Sequence, residues 1–417
     1  MQLRPILSSL RHHKLTALLL MLQVALTCAI VCNVVFMIAN RVGQVTLPSG
    51  LAESELSMVQ VIGIDKNENA QARHAADLAA LRAIPGVTAA VAVDSLPLSR
   101  SDSSYGTCDS LETFIRAMAA RSMEDNSGCV QPSVYSGTPG ELAALGLKLV
   151  GGRDFLADEY AQAAPGWTVA NVPSAIISRA LAERLYHGRD ALGRSLYMGG
   201  RPPMRVVGVV DTLLRPRLRT PDVNQYSVLV PSVPGDNEVT YVLRSTPKDR
   251  ERVLAAAANA LTGLDPDRLI PPDRMRTYAE MREQYFRHDT TMISLLLASA
   301  LGLLFVTALG ITGLANFWVQ QRRRSIGIRR AIGASRGDIL RYFQAENFLI
   351  VGGGIVLGML LAFALNLILM QHYELPRLPL YYLPIGALLL WALGQLAVLG
   401  PALRAAAVPP VVATRSV

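Results

Sequence analysis

Four stretches of this chain, residues 15–40, 290–321, 347–373 and 378–403, contain no Asp, Glu, Lys or Arg. Each exceeds the about 20 residues that an α-helix needs to cross the hydrocarbon core of a bilayer. Inside a bilayer the backbone polar groups must bond to one another, which makes helices of such stretches. The chain therefore reads as four transmembrane helices, assigned to 15–40, 290–319, 347–373 and 378–403. With 417 residues, 51% of them hydrophobic, the chain also has room for a large soluble part, at 41–289. A cleaved signal peptide is the competing reading of the first stretch. That stretch is long for a signal core, and no A-x-A-like site follows closely.

The net charge of +8 is concentrated. Residues 1–14, 320–346 and 404–417 carry twelve Arg and Lys against two acids, Asp338 and Glu346. This surplus lies beside the apolar stretches, as the positive-inside rule requires, and not on a nucleic-acid face. It predicts a cytoplasmic flank at 1–14, a cytoplasmic loop at 320–346 and a cytoplasmic tail at 404–417. The connection between the third and fourth stretches holds only Arg377 as a basic residue. Residues 41–289 are then extracytoplasmic.

That segment alternates strand-like and helix-like patterns. Residues 57–64, 87–93, 205–210 and 239–244 read as strands, and 72–84, 141–145, 179–185 and 250–261 as helices. Residues 277–286 read as a charged helix running into the second apolar stretch. The expected layout is an α/β domain of two lobes, one from about 43–135 and 216–288, the other inserted at about 136–215. Of four cysteines, Cys28 and Cys32 lie in the first apolar stretch and read as packing residues. Cys108 and Cys129 lie in the external segment, where a disulfide is expected; the alternative is two free thiols.

Catalytic signatures are missing from the sequence. It has no GxxxxGK[ST] loop, no GxGxxG after a strand, and no HExxH or CxxC. The expectation is a chain with no catalytic residues, no metal site and no cofactor of its own. Polar residues within the spans (Gln23, Asn33, Asn316, Asn366, Gln395) are not ionisable, which argues against ion-coupled transport. Gly354 and Gly358 form a small-xxx-small pattern suited to close helix packing.

The loop 320–346 is basic and amphipathic. Ile326, Ile332, Ile339 and Leu340 give it an apolar set, while Gly327, Gly333 and Gly337 predict a short helix with turns at its ends. Ser335 reads as the cap of a following helix, with Asp338 as its partner. A membrane-surface anchor explains the charge but not the small residues, which suit docking into a protein groove.

The run Ser325-Ile326-Gly327-Ile328-Arg329-Arg330-Ala331-Ile332-Gly333-Ala334-Ser335 resembles the REIGIRRALGAS segment of MacB-type (FtsX-like) ABC transporter permeases. Further resemblance lies in Leu10-Arg11-His12-His13-Lys14, Ser136-Gly137-Thr138-Pro139-Gly140, Gly152-Arg153-Asp154-Phe155, Val206-Val207-Gly208-Val209-Val210 and Pro401-Ala402-Leu403-Arg404, with Pro410-Val411 after it. The resemblance covers nearly the whole chain. It implies a four-span permease of the bacterial inner membrane with both termini cytoplasmic, and 326–335 as the coupling helix that seats on an ATPase. ATP and Mg would be bound by that ATPase, expected as a separate subunit dimer. The other implied partners are a second permease subunit, a periplasmic adaptor with an outer-membrane channel, and membrane lipid. The implied mechanism is mechanotransmission to the external domain. Where the family commonly has Glu, this chain has Gln321 and Ser325. The alternatives are a lipoprotein-releasing permease, whose loop matches less well, and a membrane-bound sensor or signalling permease.

Overall fold

The computed structural model describes residues 14–64, 69–120, 128–164, 169–265, 268–373 and 379–407. The expectations for the flank up to His13, for Arg377 and for Pro410-Val411 fall outside these residues. The chain divides into two units, one up to Val45 and from His288 on, the other Thr46–Arg287.

Among the described residues, four helices are long and apolar enough to cross a membrane. They are α1 (Lys14–Val45), α7 (Tyr278–Gln321), α9 (Arg336–Tyr373) and α10 (Tyr382–Ala406), with the short α8 (Arg323–Ala331) between α7 and α9. Half of the apolar window of α1 is buried, against 11% for α7, so α1 is the centre of the bundle. A Cβ placed on Gly354 would lie 2.8 Å from Val24 Cβ, and one on Gly358 would lie 2.5 Å from Cys28 Cβ and 2.7 Å from the Ala25 carbonyl oxygen. These glycines let α9 approach α1 backbone to backbone. Polar side chains then tie the helices together: Asn33 Nδ2 donates to the Ala362 carbonyl (3.1 Å) and Asn347 Nδ2 to that of Gly394 (2.9 Å). Thr27 and Thr307 share a hydrogen bond of 2.8 Å, joining α1 to α7. On α7, Leu297, Leu301, Phe305 and Leu309 recur every fourth residue and are all exposed.

The second unit holds two main sheets. In the first, β1 (Leu56–Gly63), β2 (Val87–Val93) and β13 (Glu238–Ser245) pair antiparallel, with β14 (Arg268–Leu269) and β15 (Met275–Thr277) on the far side of β1. Val59, Val61, Ala90, Ala92, Val239, Tyr241 and Leu243, alternating along their strands, turn one face into a core. Helices α2 (Ala70–Arg82) and α6 (Arg250–Leu264) cover that face with Leu78, Leu81, Val253 and Leu261. Asn69 caps α2 by accepting from the backbone N–H of Gln71 and Ala72.

The second sheet has eight strands. Its centre is β10 (Met204–Val210), β8 (Ser174–Ser178), β11 (Ser227–Val230) and β5 (Ser133–Ser136), and α5 (Arg179–Tyr186) packs against it. The edge strand β4 (Cys129–Val130) and its neighbour β3 (Thr107–Cys108) are joined by a Cys108–Cys129 disulfide. Helix α3 (Leu111–Ala120) rests Ala117 and Phe114 on that disulfide. Because β3 pairs with residues 197–198 and β11 pairs with β5, this sheet draws strands from residues 107 to 230, whereas the inserted lobe was expected at about 136–215.

Candidate functional site

The 320–346 segment folds as a corner, not as a free loop. Helix α8 ends at Gly333, whose φ of +103° is left-handed. There the Gly333 N–H donates to the Arg330 carbonyl (3.2 Å) and the Ala334 N–H to that of Arg329 (3.0 Å). This is the paired closure of a helix that glycine favours. Three residues after Gly333, at Arg336, α9 begins. Ser335 Oγ accepts from the Asp338 N–H (3.2 Å), and Asp338 Oδ2 accepts from the Ser335 N–H (3.1 Å). Asp thus fills the place where Glu or Gln is usual.

Of the three glycines expected to interrupt the helix, only Gly333 does so. Gly327 is helical and buried within α8, and Gly337 lies in the first turn of α9. Helix α9 therefore starts at Arg336, ahead of the uncharged stretch that begins at Asn347.

The apolar set also divides. Ile326 and Ile339 fold inward with Phe343, whereas Ile332 is 82% and Ile328 47% exposed. These two isoleucines lie one helical turn apart. Around them Arg323, Arg324, Arg329, Arg336 and Arg341, with Ala331, Gly333 and Ser335, are exposed, while Ala334 is half-buried. Between α8 and α9 is a cavity of about 160 Å³, with Arg322, Ile326, Arg329 and Tyr342 in its wall. The corner thus presents a cationic surface with two apolar knobs.

Contacts that sequence reasoning did not single out hold this corner to the bundle. Arg322 Nη1 lies 2.8 and 3.1 Å from the two oxygens of Glu346, which is 2% exposed. Arg330 Nη1 donates to the Ala406 carbonyl at the end of α10 (2.6 Å). The Arg329 guanidinium lies 5.0 Å over the Tyr342 ring. The hint in the sequence was a lone Glu346 at the end of a basic loop. Breaking a buried ion pair leaves a charge uncompensated, which costs about 3–5 kcal/mol.

In the second unit the perturbed groups are structural in setting. Burial, followed by the charges of Asp94 and Asp154, holds the Glu141 carboxyl well above its ordinary range. Its Oε1 has no hydrogen-bond partner among the described residues. Burial pushes Asp94 up to about 7, although its Oδ1 accepts from the Ser136 N–H at 2.9 Å. His74 is lowered to about 4, mainly by burial and then by Arg73. Nearby, Arg268 pairs with the fully buried Asp77, whose Oδ2 accepts from the Tyr241 hydroxyl at 2.5 Å. Among the described residues no group of three or more His, Cys, Asp or Glu is arranged to hold a metal.

Two family models match this chain. The one described as FtsX-like permease C-terminal matches residues 297–410, and the MacB-like periplasmic core domain matches residues 17–261. The macrolide export ATP-binding/permease protein MacB 1/2 of Paracoccus denitrificans (strain Pd 1222) is 26% identical over 376 residues, 88% of this chain and 51% of that protein. MacB of Sodalis glossinidius (strain morsitans) is 28% identical over 232 residues, 52% of this chain and 33% of that protein. The chain thus spans about half, or less, of the length of these relatives. Among solved structures, the periplasmic region of MacB from Actinobacillus actinomycetemcomitans aligns at 12% identity and a TM-score of 0.34, covering 58% of this chain and 97% of that one. The extracellular domain of the noncanonic ABC-type transporter YknZ from Gram-positive bacteria aligns at 16% identity and 0.31, covering 51% and 99%. With four membrane-length helices, a large α/β periplasmic domain and both family models matched over most of its length, this chain belongs to the MacB-like, FtsX-like family of ABC transporter permeases.

Proposed function

We propose that this chain is the permease of an ABC exporter that works by mechanotransmission. The α8 corner seats in a groove of an ABC ATPase dimer on the cytoplasmic side, where ATP and Mg are bound. Its displacement passes through the Arg322–Glu346 and Arg330–Ala406 contacts into α9 and α10, and through α7 towards the periplasmic domain. A second permease subunit completes the membrane assembly, and a periplasmic adaptor with an outer-membrane channel extends it. Both termini are cytoplasmic in this reading. Cargo is taken up on the periplasmic side; the relatives above are named for macrolide export.

The observation that carries the reading is the exposure of Ile328 and Ile332 on a corner locked at both helix ends. A lipid-surface anchor has no use for such a fixed turn, whereas a docked knob does. Fully burying an Ile contributes about 1.5–3 kcal/mol. The test is to co-purify the chain with its ABC ATPase and to introduce Ile332→Asp, with Ile328→Asp as the second variant. Gly333 is a poor test position, because any side chain there strains the turn as well as the interface. Each variant should weaken the complex about tenfold or more and uncouple ATP hydrolysis from transport. Unchanged assembly and coupling in both would refute the docking role.

A further inference from the structure

Within the periplasmic domain an open cavity of about 620 Å³ lies between the first sheet and the segments 95–103 and 274–281. A second cavity of about 370 Å³ shares Ser99, Arg100, Arg274, Arg276 and Met281 with it, so three arginines stand where the two meet. Their partners differ. Arg274 Nη1 is 3.1 Å from Glu238 Oε1 and donates to Gln60 Oε1 at 2.7 Å. Arg100 instead lies with its guanidinium 5.3 Å over the Tyr285 ring and donates to the Tyr285 carbonyl at 3.4 Å. Arg276 donates through Nη1 to the neutral side chain of Gln284. Among the described residues, neither Arg100 nor Arg276 has a carboxylate at salt-bridge distance.

Two buried polar atoms on the same wall lack partners. Among the described residues, Arg276 Nε has no acceptor, and Ser95 Oγ has no partner although Ser95 is 5% exposed. Buried donors without acceptors are uncommon and call for a molecule that supplies them. The wall that carries them is also strained. Leu98 and Arg100 are non-glycine residues with left-handed φ of 66° and 69°. Their N–H groups are pinned to the Arg215 and Pro216 carbonyls at 3.3 and 3.1 Å. Backbone strain of this kind persists where the surroundings over-determine it, and it clusters at ligand-holding sites. Asp273, in the wall of the smaller cavity, and Glu280 act on Arg276 only through space, so water would satisfy the hydrogen bonds but leave both guanidinium groups without a paired carboxylate. The negative charge that fits is limited, because Asp94, Asp236 and Glu238 line the larger cavity as well. A single carboxylate suits that balance better than a dianionic phosphate.

We propose that this cavity binds a small polar organic molecule through one carboxylate, held by Arg100 and Arg276, with the Ser95 and Ser99 hydroxyls bonding the remainder of the ligand. Arg matches a carboxylate through charge-assisted, directional hydrogen bonds. The volume is in the range of small-molecule pockets.

The test is calorimetric titration of the full chain in detergent with tetra-alanine and with its carboxyl-terminal amide. The two probes are nearly equal in size and differ in the terminal charge. Tetra-alanine should bind saturably and the amide about tenfold more weakly or worse. Arg276→Gln and Arg100→Gln should each weaken tetra-alanine by a similar factor and narrow the gap between the probes. The proposal is overturned if tetra-alanine gives no saturable binding at millimolar concentration, if acid and amide bind alike, or if both variants bind as the unaltered chain does. Should a variant fail to fold, the acid-against-amide comparison on the unaltered chain still decides. The assay needs no ATPase, so its failure would leave the coupling reading standing.

Discussion

Glu141 sits 1% exposed beside Gly137, with one carboxyl oxygen unpartnered among the described residues. An ionised carboxylate in that position is expensive, so the folded chain holds a proton that the unfolded chain releases. Its raised affinity for that proton, like that of Asp94 at about 7, sets the sign of a pH effect. The stabilisation is complete below the ordinary carboxyl range of about 4 and is lost as pH rises through the folded-state value. Glu141→Gln keeps the shape and removes the ionisation. Melting of the chain in detergent should show this variant more stable by about 1–3 kcal/mol at pH 8 and nearly unchanged at pH 4.5. Equal melting of both proteins at pH 8 would mean that the carboxylate has found a partner. At the α8 corner Ile332 is a more telling position than Gly333, because Ile332 is exposed and a side chain at Gly333 would also strain the left-handed turn.

Among the helices, the contrast between Gly358 and Gly352 makes the packing claim testable. A Cβ at Gly358 would press on the Ala25 carbonyl and on Cys28 Cβ, whereas one at Gly352 meets nothing within 4 Å. Gly358→Leu should therefore cost about 1–3 kcal/mol as α9 is pushed from α1, while Gly352→Leu should be tolerated. Thermal aggregation of the two variants in detergent measures the difference. Elements of this kind were legible in the sequence because they advertise a period. Val87–Val93 and Glu141–Leu145 have the bounds expected, and Gly354 and Gly358 stand against Val24 and Cys28 of α1. What could not be read depends on distant partners. The two-residue strands Thr107–Cys108 and Cys129–Val130 are too short to show alternation and exist through their pairing and disulfide. The inserted lobe looked narrower because the parallel pairing of Ser133–Ser136 with Ser227–Val230 leaves no local trace. In the α8 corner, Gly327 and Gly333 look alike as letters, and only the surrounding helix decides that one is packed and the other turned. The Arg322–Glu346 pair was hidden for the same reason, since Arg322 sits at the junction of α7 and α8 and Glu346 within α9.

Across the whole molecule, the apolar helices and the periplasmic domain define a membrane protein whose sidedness is open to direct measurement. Single cysteines at the exposed positions Asp222 and Ser325 should respond differently to a membrane-impermeant maleimide. Asp222→Cys should label in spheroplasts, and Ser325→Cys only after permeabilisation. The opposite pattern would put the α8 corner on the wrong side for an ATPase. The bundle itself is unevenly dressed: α1 is wrapped by its neighbours, while the described residues leave Leu297, Leu301, Phe305 and Leu309 of α7 uncovered. In a membrane that stripe meets lipid or another polypeptide. A biochemist extracting this protein therefore picks a substitute neighbour when picking a surfactant. A short-chain micelle and a native-lipid disc should yield preparations that differ first along this one flank.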